Sequence, residues 1–457
     1  MRVFEFNKRI GVVGMYRSGK TVFLTSLINH LSRHDPGRFP LGRGDVTLGN
    51  FKRLRARAGW REFDYEGCRS SLQAGGRWPE KSLLGGQYRC SLTRSDWPNT
   101  LLNLSFLDLA GERMADMPMA GSDYAAWSDR MVNLFSTGPE YRAHVADYLK
   151  LFDDSTPFDG SEEKILEEYR RTLARCCLAY LPVVSPSSIL LGPEGDYVRT
   201  GEVEEIAAQR AVGLDRESQF APLPREFRDR HPDLSRKFSR RYGEYRKQVV
   251  MPLARWLAEC HQLVVLLDLT GLLAGGLGAY HGALHLVEDL LDWVDPGRGF
   301  LGRLFSLFLK PLSGGRLNLP GITRIAFVAI KADKVHADDR QKLLILLKDM
   351  VAARMSGLQE DLKLKVGYFI CSSVKSTASL PDGFLEGRPA YRRGGESPLS
   401  RFKPSALPQS WPDDWVPGQY NFPDVLPQMP ARRDLAPSHI GLNAVADFLL
   451  ADNDWTE

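Results

Sequence analysis

Short apolar runs of the kind that form buried strands recur along the chain, and helical patterns separate them. Five runs stand out, at residues 9–14, 101–108, 261–268, 324–330 and 366–371, and each ends in polar or turn residues. Strands that alternate with helices predict a parallel sheet with crossover helices. Because ligands of such sheets bind at the carboxyl ends of the strands, we expect the chemistry in the residues that follow each run.

The uneven spacing of the runs predicts where insertions lie. The gap after the first run is rich in glycine, arginine and tryptophan, which predicts loops, whereas the next gap carries helical patterns at 162–180 and 229–256. An apolar pattern at 440–450 predicts a closing helix. We therefore expect four parts: 1–113, the first part of the core with a loop-rich insertion at about 42–94; 114–255, a mainly helical insertion; 256–379, the second part of the core; and 380–457, an irregular C-terminal wrap that ends in the helix.

Composition places the chain among folded globular proteins. Of its 457 residues 43% are hydrophobic and 25% charged, which excludes disorder as a global description. The formal net charge of +4 is too small to favour nucleic acid as a partner of the whole surface. The six cysteines show no C-x-x-C pair, and neither a secretory signal nor a membrane-spanning run is found. These features predict a cytoplasmic protein with free thiols.

The first run ends in GMYRSGKT, which begins at Gly14 and fits the phosphate-loop pattern G-x-x-x-x-G-K-[ST] between a strand and a helical run. Backbone N–H groups around Ser18 and Gly19, with the positive end of the following helix, predict a cradle for nucleotide phosphates. The ammonium of Lys20 would reach the β- and γ-phosphates, and the hydroxyl of Thr21 would coordinate Mg²⁺.

The second run ends in Asp108-Leu-Ala-Gly111-Glu112, which matches the D-x-x-G element of GTPases. In that element the aspartate holds Mg²⁺ through water and the glycine N–H faces the γ-phosphate. Glu112 occupies the position of a residue that orients the attacking water, and a carboxylate there can orient or deprotonate water. The alternative is that Glu112 has no catalytic role and only interacts favourably with the positive end of a helix dipole.

The fourth and fifth runs are followed by residues suited to a guanine base. Lys331-Ala-Asp333 resembles the [NT]-K-x-D element, whose aspartate accepts hydrogen bonds from guanine N1 and N2 that adenine does not offer. Ile330 departs from that pattern. Ser373-Val374-Lys resembles the S-A-K element, whose backbone N–H reaches guanine O6. The order of all four motifs at successive strand ends predicts binding of GTP and GDP with Mg²⁺.

Together these stretches resemble the YcjX-like family of bacterial P-loop GTPases, which is associated with stress response. The resemblance extends to YGEYRKQVVMPL, which begins at Tyr242, and to the terminal Gly441-Leu-Asn before the last helix. It implies a three-layer α/β P-loop NTPase fold with a Ras-like core, a mostly parallel sheet and an inserted helical subdomain. The family often has threonine where this chain has Ile330.

Two catalytic parts are open at this stage. The segment Trp-Pro-Glu-Lys-Ser82 resembles a family segment that ends in the threonine which senses the γ-phosphate, so Ser82 is a candidate metal ligand. Thr47 and Thr93 are competitors, and a surface serine without a role at the site is the other alternative. Arg17, inside the phosphate loop, would neutralise charge in the transition state, within the chain or across a dimer, or would pair with a carboxylate to fix the loop.

The expected activity is slow, Mg²⁺-dependent GTP hydrolysis by a nucleotide switch, with an unknown protein partner bound through the helical insertion. Two alternatives stay open: an ATPase, which Ile330 motivates, and a nucleotide-bound scaffold that contacts membranes peripherally. The basic stretch 225–247 and the apolar stretch 300–312 motivate the second alternative, although a solvated helix and a buried helix are the plainer interpretations. Self-association is also open.

Overall fold

The structure is a computed structural model. It describes residues 4–15, 18–73, 76–79, 85–109, 111–153, 161–179, 181, 183–190, 212–294, 322–362, 364–390, 398–432 and 434–451. In these ranges the strands are β1 (Phe4–Gly14), β2 (Leu48–Leu54), β3 (Gly86–Arg94), β4 (Thr100–Asp108), β5 (Gln262–Leu267), β6 (Arg324–Ala329), β7 (Lys365–Ile370), β8 (Thr377–Ser379), β9 (Leu385–Gly387) and β10 (Ser400–Phe402). The α-helices are α1 (Lys20–Ser32), α2 (Tyr65–Gln73), α3 (Tyr124–Thr137), α4 (Pro139–Lys150), α5 (Glu162–Leu178), α6 (Arg225–Arg230), α7 (Pro232–Tyr245), α8 (Met251–Ala258), α9 (Leu269–Gly275), α10 (Leu277–Val294), α11 (Arg340–Leu362) and α12 (Leu442–Leu450).

The chain divides into two compact units. The sheet unit comprises Met1–Gly111, Glu259–Ala274 and Asn318–Glu457, and the helical unit comprises Glu112–Ala258 and Gly275–Leu317. A seven-stranded sheet, in the order β2-β3-β4-β1-β5-β6-β7, forms the centre of the sheet unit. Strands β4, β1, β5, β6 and β7 run parallel, whereas β3 is antiparallel to β4 and to β2.

Burial along β1 follows its neighbours. Residues 4–9 pair only with β4 and are mostly exposed, whereas residues 10–14, which pair with β5 and up to Val12 with β4 as well, are buried. A strand flanked on both sides and covered on both faces is apolar throughout, which explains the run that the sequence shows there.

The sheet is covered on both faces. Residues of α1 and α12 join one core cluster with Ala326 and Val328 of β6. The intervening residues Ile325 and Phe327 point to the opposite face and are also buried, and α11 contacts β6 and β7. This three-layer arrangement with a mostly parallel sheet is the fold class predicted from the sequence.

Two segments contain more regular structure than the sequence suggested. The stretch 42–94, expected to be loop-rich, supplies β2, α2 and β3, and two of these are strands of the main sheet. The expected irregular wrap after residue 380 supplies β9 and β10, which pair with β8 in a small antiparallel sheet. The closing helix is confirmed as α12.

The helical unit has an aromatic core. Trp127, Tyr148 and Tyr169 are buried in it, and their rings pack against further aromatic side chains. Buried phenols usually find a hydrogen-bond partner, and the Tyr148 and Tyr169 hydroxyls donate to the carbonyls of Pro222, at 2.5 Å, and Ser185. The predicted helix at 162–180 is confirmed as α5, and the one at 229–256 as α7 and α8 joined by a π-helical turn, Arg246–Val250.

Candidate nucleotide site

The phosphate-loop residues join β1 to α1. Gly14 has no room for a side chain, since a Cβ there would lie 2.5 Å from Ser18 Oγ and 2.6 Å from the Leu266 carbonyl oxygen. Gly19 precedes the helix with φ +70°, a left-handed conformation that favours glycine. No acidic residue occupies the first turn of α1 and no side chain caps its N-terminus. The positive end of the helix dipole therefore meets no competing carboxylate there.

The ammonium of Lys20 folds back over this loop. Its Nζ donates to the carbonyl oxygens of Gly14 at 3.2 Å and Met15 at 3.1 Å, and to Ser18 Oγ at 3.4 Å. Lys20 is only 9% exposed, so its ammonium group is held against the loop and is largely shielded from solvent. Thr21 follows in the first turn of α1, and its carbonyl accepts from the Thr25 hydroxyl.

The second strand end lies against the same loop. Asp108 is the last residue of β4, pairs in register with Val12 of β1 and is 1% exposed. Gly111 approaches so closely that a Cβ on it would lie 2.2 Å from Lys20 Nζ and 2.4 Å from the Gly14 carbonyl oxygen. The glycine is therefore required by contact with the loop, and its backbone meets the ammonium that would hold phosphates.

The donor set here fits a magnesium ion. Thr21 and Asp108 offer a hydroxyl and a carboxylate, which are hard oxygen ligands, and Mg²⁺ bound with nucleotide takes few protein ligands and completes its octahedron with phosphates and water. In the described residues no group of three or more His, Cys, Asp or Glu side chains could hold a metal. The chemistry of these two side chains thus suits a metal bound together with phosphates and not a separate metal cage.

Asp333 is held rigidly at the end of β6. It is 2% exposed, and its carboxylate accepts from Ser372 Oγ at 2.6 Å, from the Ser376 N–H at 2.6 Å and from Ser376 Oγ at 2.5 Å. A carboxylate with two oxygens has about four lone-pair positions, so capacity is left for a ligand. Neither Ser372 nor Ser376 was singled out from the sequence, because their partner lies about 40 residues away along the chain.

Lys331 is fixed beside it by an ion pair. Its backbone is left-handed, with φ +59°, and its Nζ lies 2.5 Å from Asp268 Oδ2, directly after β5. Burial alone would raise the pKa of Asp268, but the charges of Lys331 and Lys334 and the Thr270 hydroxyl outweigh it and lower that pKa. Sequence reasoning missed Asp268, although it ends the apolar run HQLVVLLD just as Asp108 ends the second run.

Ile330, the departure from the usual pattern, packs in the core cluster and is 4% exposed. Ser26, and not residue 330, links α1 to the loop after β7, because its buried hydroxyl donates to the Ser373 carbonyl at 2.6 Å. The Ser372 hydroxyl, which donates to Asp333 at the shorter distance of 2.6 Å, also lies 3.0 Å from the Val374 carbonyl oxygen. The loop after β7 is thus fastened to α1 without a polar side chain at position 330.

The remaining sequence candidates fall differently. Arg17 and Ser82 lie outside the described residues, as does the side chain of Glu112, whose backbone is the second residue of the 3₁₀ segment Gly111–Gly121. The competitor Thr93 lies on β3, where its hydroxyl accepts from Asn50 at 3.3 Å. The roles of Arg17, Glu112 and Ser82 stay predictions.

The features behind the membrane alternative are also only partly described. Residues 300–312 lie outside the described ranges. In the basic stretch, Lys237 and Arg241 both pair with Glu162, so its charge is partly balanced. Among the described residues no helix is both long and apolar enough to cross a membrane.

A parallel sheet whose strand ends carry a phosphate loop, a D-x-x-G element and a K-x-D element defines a P-loop NTPase of Ras-like type. Residues 8–453 match the model of the YcjX-like family, DUF463, and the chain belongs to that family. It is similar to the Ras-like GTPase YcjX of Escherichia coli K12, with 24% identity across 97% of this chain and 95% of the relative. It is also 24% identical to the Ras-like GTPase YcjX of Shewanella oneidensis, across 99% of this chain and 95% of that protein.

Proposed function

We propose that the chain binds GTP and GDP with Mg²⁺, hydrolyses GTP slowly and serves as a nucleotide switch in a stress response. The observation that carries the proposal is the contact of Gly111 with Lys20 and the phosphate loop, since it brings the two phosphate-sensing motifs to one point. The name Ras-like GTPase, given to both bacterial relatives, supports the same activity.

Phosphate binding rests on the loop and Lys20. With nucleotide bound, the Lys20 ammonium would exchange its two backbone carbonyls for β- and γ-phosphate oxygens, which are charged and therefore stronger acceptors. Thr21 and Asp108 would hold Mg²⁺, which neutralises phosphate charge when bound. The N–H of Gly111 would donate to the γ-phosphate.

Hydrolysis needs groups that position water and stabilise charge. We assign the water-orienting role to Glu112, the residue next to Gly111, and the sensing of the γ-phosphate and metal to Ser82. Arg17 would neutralise charge that develops on the phosphates. A carboxylate that orients water without an added arginine from another protein is consistent with slow turnover.

Base selection rests on Asp333. The Asp333 carboxylate is already oriented by Ser372 and Ser376, so it loses little freedom on binding. To accept from both guanine N1 and N2 it would give up at least one of its three serine hydrogen bonds, which lowers the net gain from the base. The Lys331 stem would cover one face of the base, while the N–H groups at Ser373 and Val374 would face guanine O6.

The helical unit is the proposed site of the protein partner. Directly after Gly111, the 3₁₀ segment carries Asp116, a fully buried carboxylate that accepts from Ser185 Oγ, from the N–H and Oγ of Ser187, and from Tyr245 at 2.7 Å. Arg246, in the π-helical turn, donates to the carbonyls of Met119 at 2.8 Å and Ala120 at 2.6 Å. A displacement of Gly111 by a γ-phosphate would therefore pull on a segment that the helical unit grips, and would alter its partner surface.

The experiment is a titration of a fluorescent GDP analogue with Mg²⁺ on the wild type and Lys20→Ala, competed by unlabelled GTP and ATP, followed by phosphate release from GTP. An exposed lysine, Lys52→Ala, is the matched control. Binding that requires Lys20, yields only to GTP and is followed by slow phosphate release supports the proposal. Displacement by ATP assigns the protein to the ATPases. Tight binding without phosphate release, or co-sedimentation with anionic liposomes that depends on nucleotide, favours the scaffold.

A further inference from the structure

In the part of the chain that the structure describes, β2 forms one edge of the main sheet of the sheet unit. This strand is the terminal one of the seven-stranded sheet, and among the residues described only β3 pairs with it, along Leu48 to Leu54. In a strand with a single neighbour, alternate N–H and C=O groups point away from the sheet and can pair with another strand. The first part of β2 is irregular, because the Leu48 N–H donates to His34 Nδ1 at 3.2 Å and a register shift at the left-handed Asn50 interrupts the ladder between Gly49 and Lys52. The regular edge that a partner strand can extend therefore begins at Lys52.

This edge is strongly basic. Residues 46–61 contain five cations and no acidic residue, so this short stretch carries more positive charge than the formal net charge of +4 for the whole chain. The cations are Lys52, Arg53, Arg55, Arg57 and Arg61. Lys52 and Arg53 lie on β2, and the other three lie within seven residues of its end; all five residues are exposed.

Local acids balance only part of this charge. Arg53 pairs with Glu62 at 3.0 Å, and Arg57 lies 3.6 Å from Glu259; these pairs are about half exposed and contribute little. For Lys52, Arg55 and Arg61 no ion pair occurs within the described ranges. On the neighbouring strand, Arg89 donates to the Arg55 carbonyl at 3.0 Å and adds another cation beside the edge.

We propose that β2 is a docking edge for an acidic, extended segment of a partner protein, which adds to the sheet as a further strand. Backbone hydrogen bonds along the edge supply affinity, and carboxylates at alternate positions of the incoming strand meet the cations. Cations on an edge also prevent indiscriminate strand pairing, and the same charge that repels a basic strand selects an acidic one. The proposal goes beyond nucleotide binding and does not depend on it.

The test uses a fluorescent octapeptide of alternating glutamate and valine as the probe, with binding to the full chain followed by fluorescence anisotropy at low salt. A second peptide of the same sequence carries N-methyl groups on every other residue, which removes strand-pairing donors without changing charge. The double variant Lys52→Glu/Arg55→Glu reverses two cations of the edge. Arg236→Glu/Arg240→Glu on α7 is its control, because it changes the net charge equally at exposed positions. Circular dichroism melts verify that both variants fold.

The expected result is binding by the wild type and by the α7 control, with a loss of about tenfold or more for the β2 variant. The N-methylated peptide should lose about as much with the wild type. Equal affinity for the two peptides would show attraction without strand pairing and overturn the proposal. Equal loss in the two variants, or no binding by the wild type, would do the same.

Discussion

Substitution of Gly111 by alanine tests the point at which the two phosphate motifs meet. The new Cβ would lie 2.2 Å from Lys20 Nζ, 2.4 Å from the Gly14 carbonyl oxygen and 2.7 Å from that of Met15, whereas real contacts of this kind stay above 3.0 Å. The lysine end can swing aside, but the two carbonyls are backbone and must retreat by roughly half an ångström. Overpacking of this severity costs about 1 to 3 kcal/mol. A free loop that relaxes around the new Cβ while the nucleotide-bound loop keeps the clash would show the full cost as an affinity loss, with an upper bound of roughly 5- to 150-fold.

The assay compares the affinities of Gly111→Ala for fluorescent GDP and for a non-hydrolysable GTP analogue, both with Mg²⁺. The GTP analogue should suffer more, because the Gly111 N–H is expected to reach only the γ-phosphate. Gly243→Ala is the control, since a Cβ there meets nothing within 4 Å and the exposed site in α7 favours alanine over glycine. If Gly111→Ala binds both nucleotides as the wild type does and melts at the same temperature, the contact does not constrain the site and the reasoning is refuted.

Two further predictions concern the base and the protein's response to pH. Asp333→Asn replaces an acceptor by a donor that suits the C2 oxygen of xanthine, so competition assays should show a shift from GDP toward xanthosine diphosphate of at least about tenfold; an unchanged preference would remove Asp333 from the base site. His30 is buried, its Nε2 donates to the Pro437 carbonyl at 3.1 Å, and burial together with His439 lowers its pKa to about 3. Below about pH 6.5 the imidazole of His30 binds a proton in the unfolded chain but stays neutral in the folded chain, because its folded-state pKa is about 3. The free energy of unfolding should therefore fall as the pH is lowered from 6.5 to 3, by up to about 1.4 kcal/mol per pH unit. Urea titrations at pH 7 and pH 5 should show a smaller fall in His30→Phe, which keeps a ring against Phe39, and equal slopes would contradict the assignment.

Sequence reasoning could find the motif-bearing strand ends because their signals are local. A buried parallel strand must be a continuous apolar run, and the residues after it must turn, so β1, β4, β5, β6 and β7 are visible without partners. The glycines at 14, 19 and 111 are visible for the same reason, since each is required by a close approach or a left-handed backbone.

The missed parts depend on distant partners. Strand β2 reads LGNFKRL, with a glycine, an asparagine and a register shift in its ladder, and β3 is its one strand neighbour among the described residues, so no apolar run marks it. Ser26 meets Ser373 across 347 residues of sequence. A single serine inside a helical pattern gives no sign of such a partner in the sequence. Only the folded structure shows the hydrogen bond between Ser26 and Ser373, which fastens the loop after β7 to α1 while position 330 is apolar.

The segment that follows Gly111 favours one kind of switching over another. Asp116 is fully buried with four protein hydrogen bonds from Ser185, Ser187 and Tyr245, and melting the segment would remove the acceptor from these buried donors. Each buried donor left without a partner costs about 1 to 3 kcal/mol, so together they exceed the usual coupling between an effector and a distant site of about 1 to 3 kcal/mol. A γ-phosphate that draws on Gly111 is therefore expected to move the 3₁₀ segment as a body together with the residues that grip Asp116, because order-to-disorder switching at this position would cost more than the ligand can return.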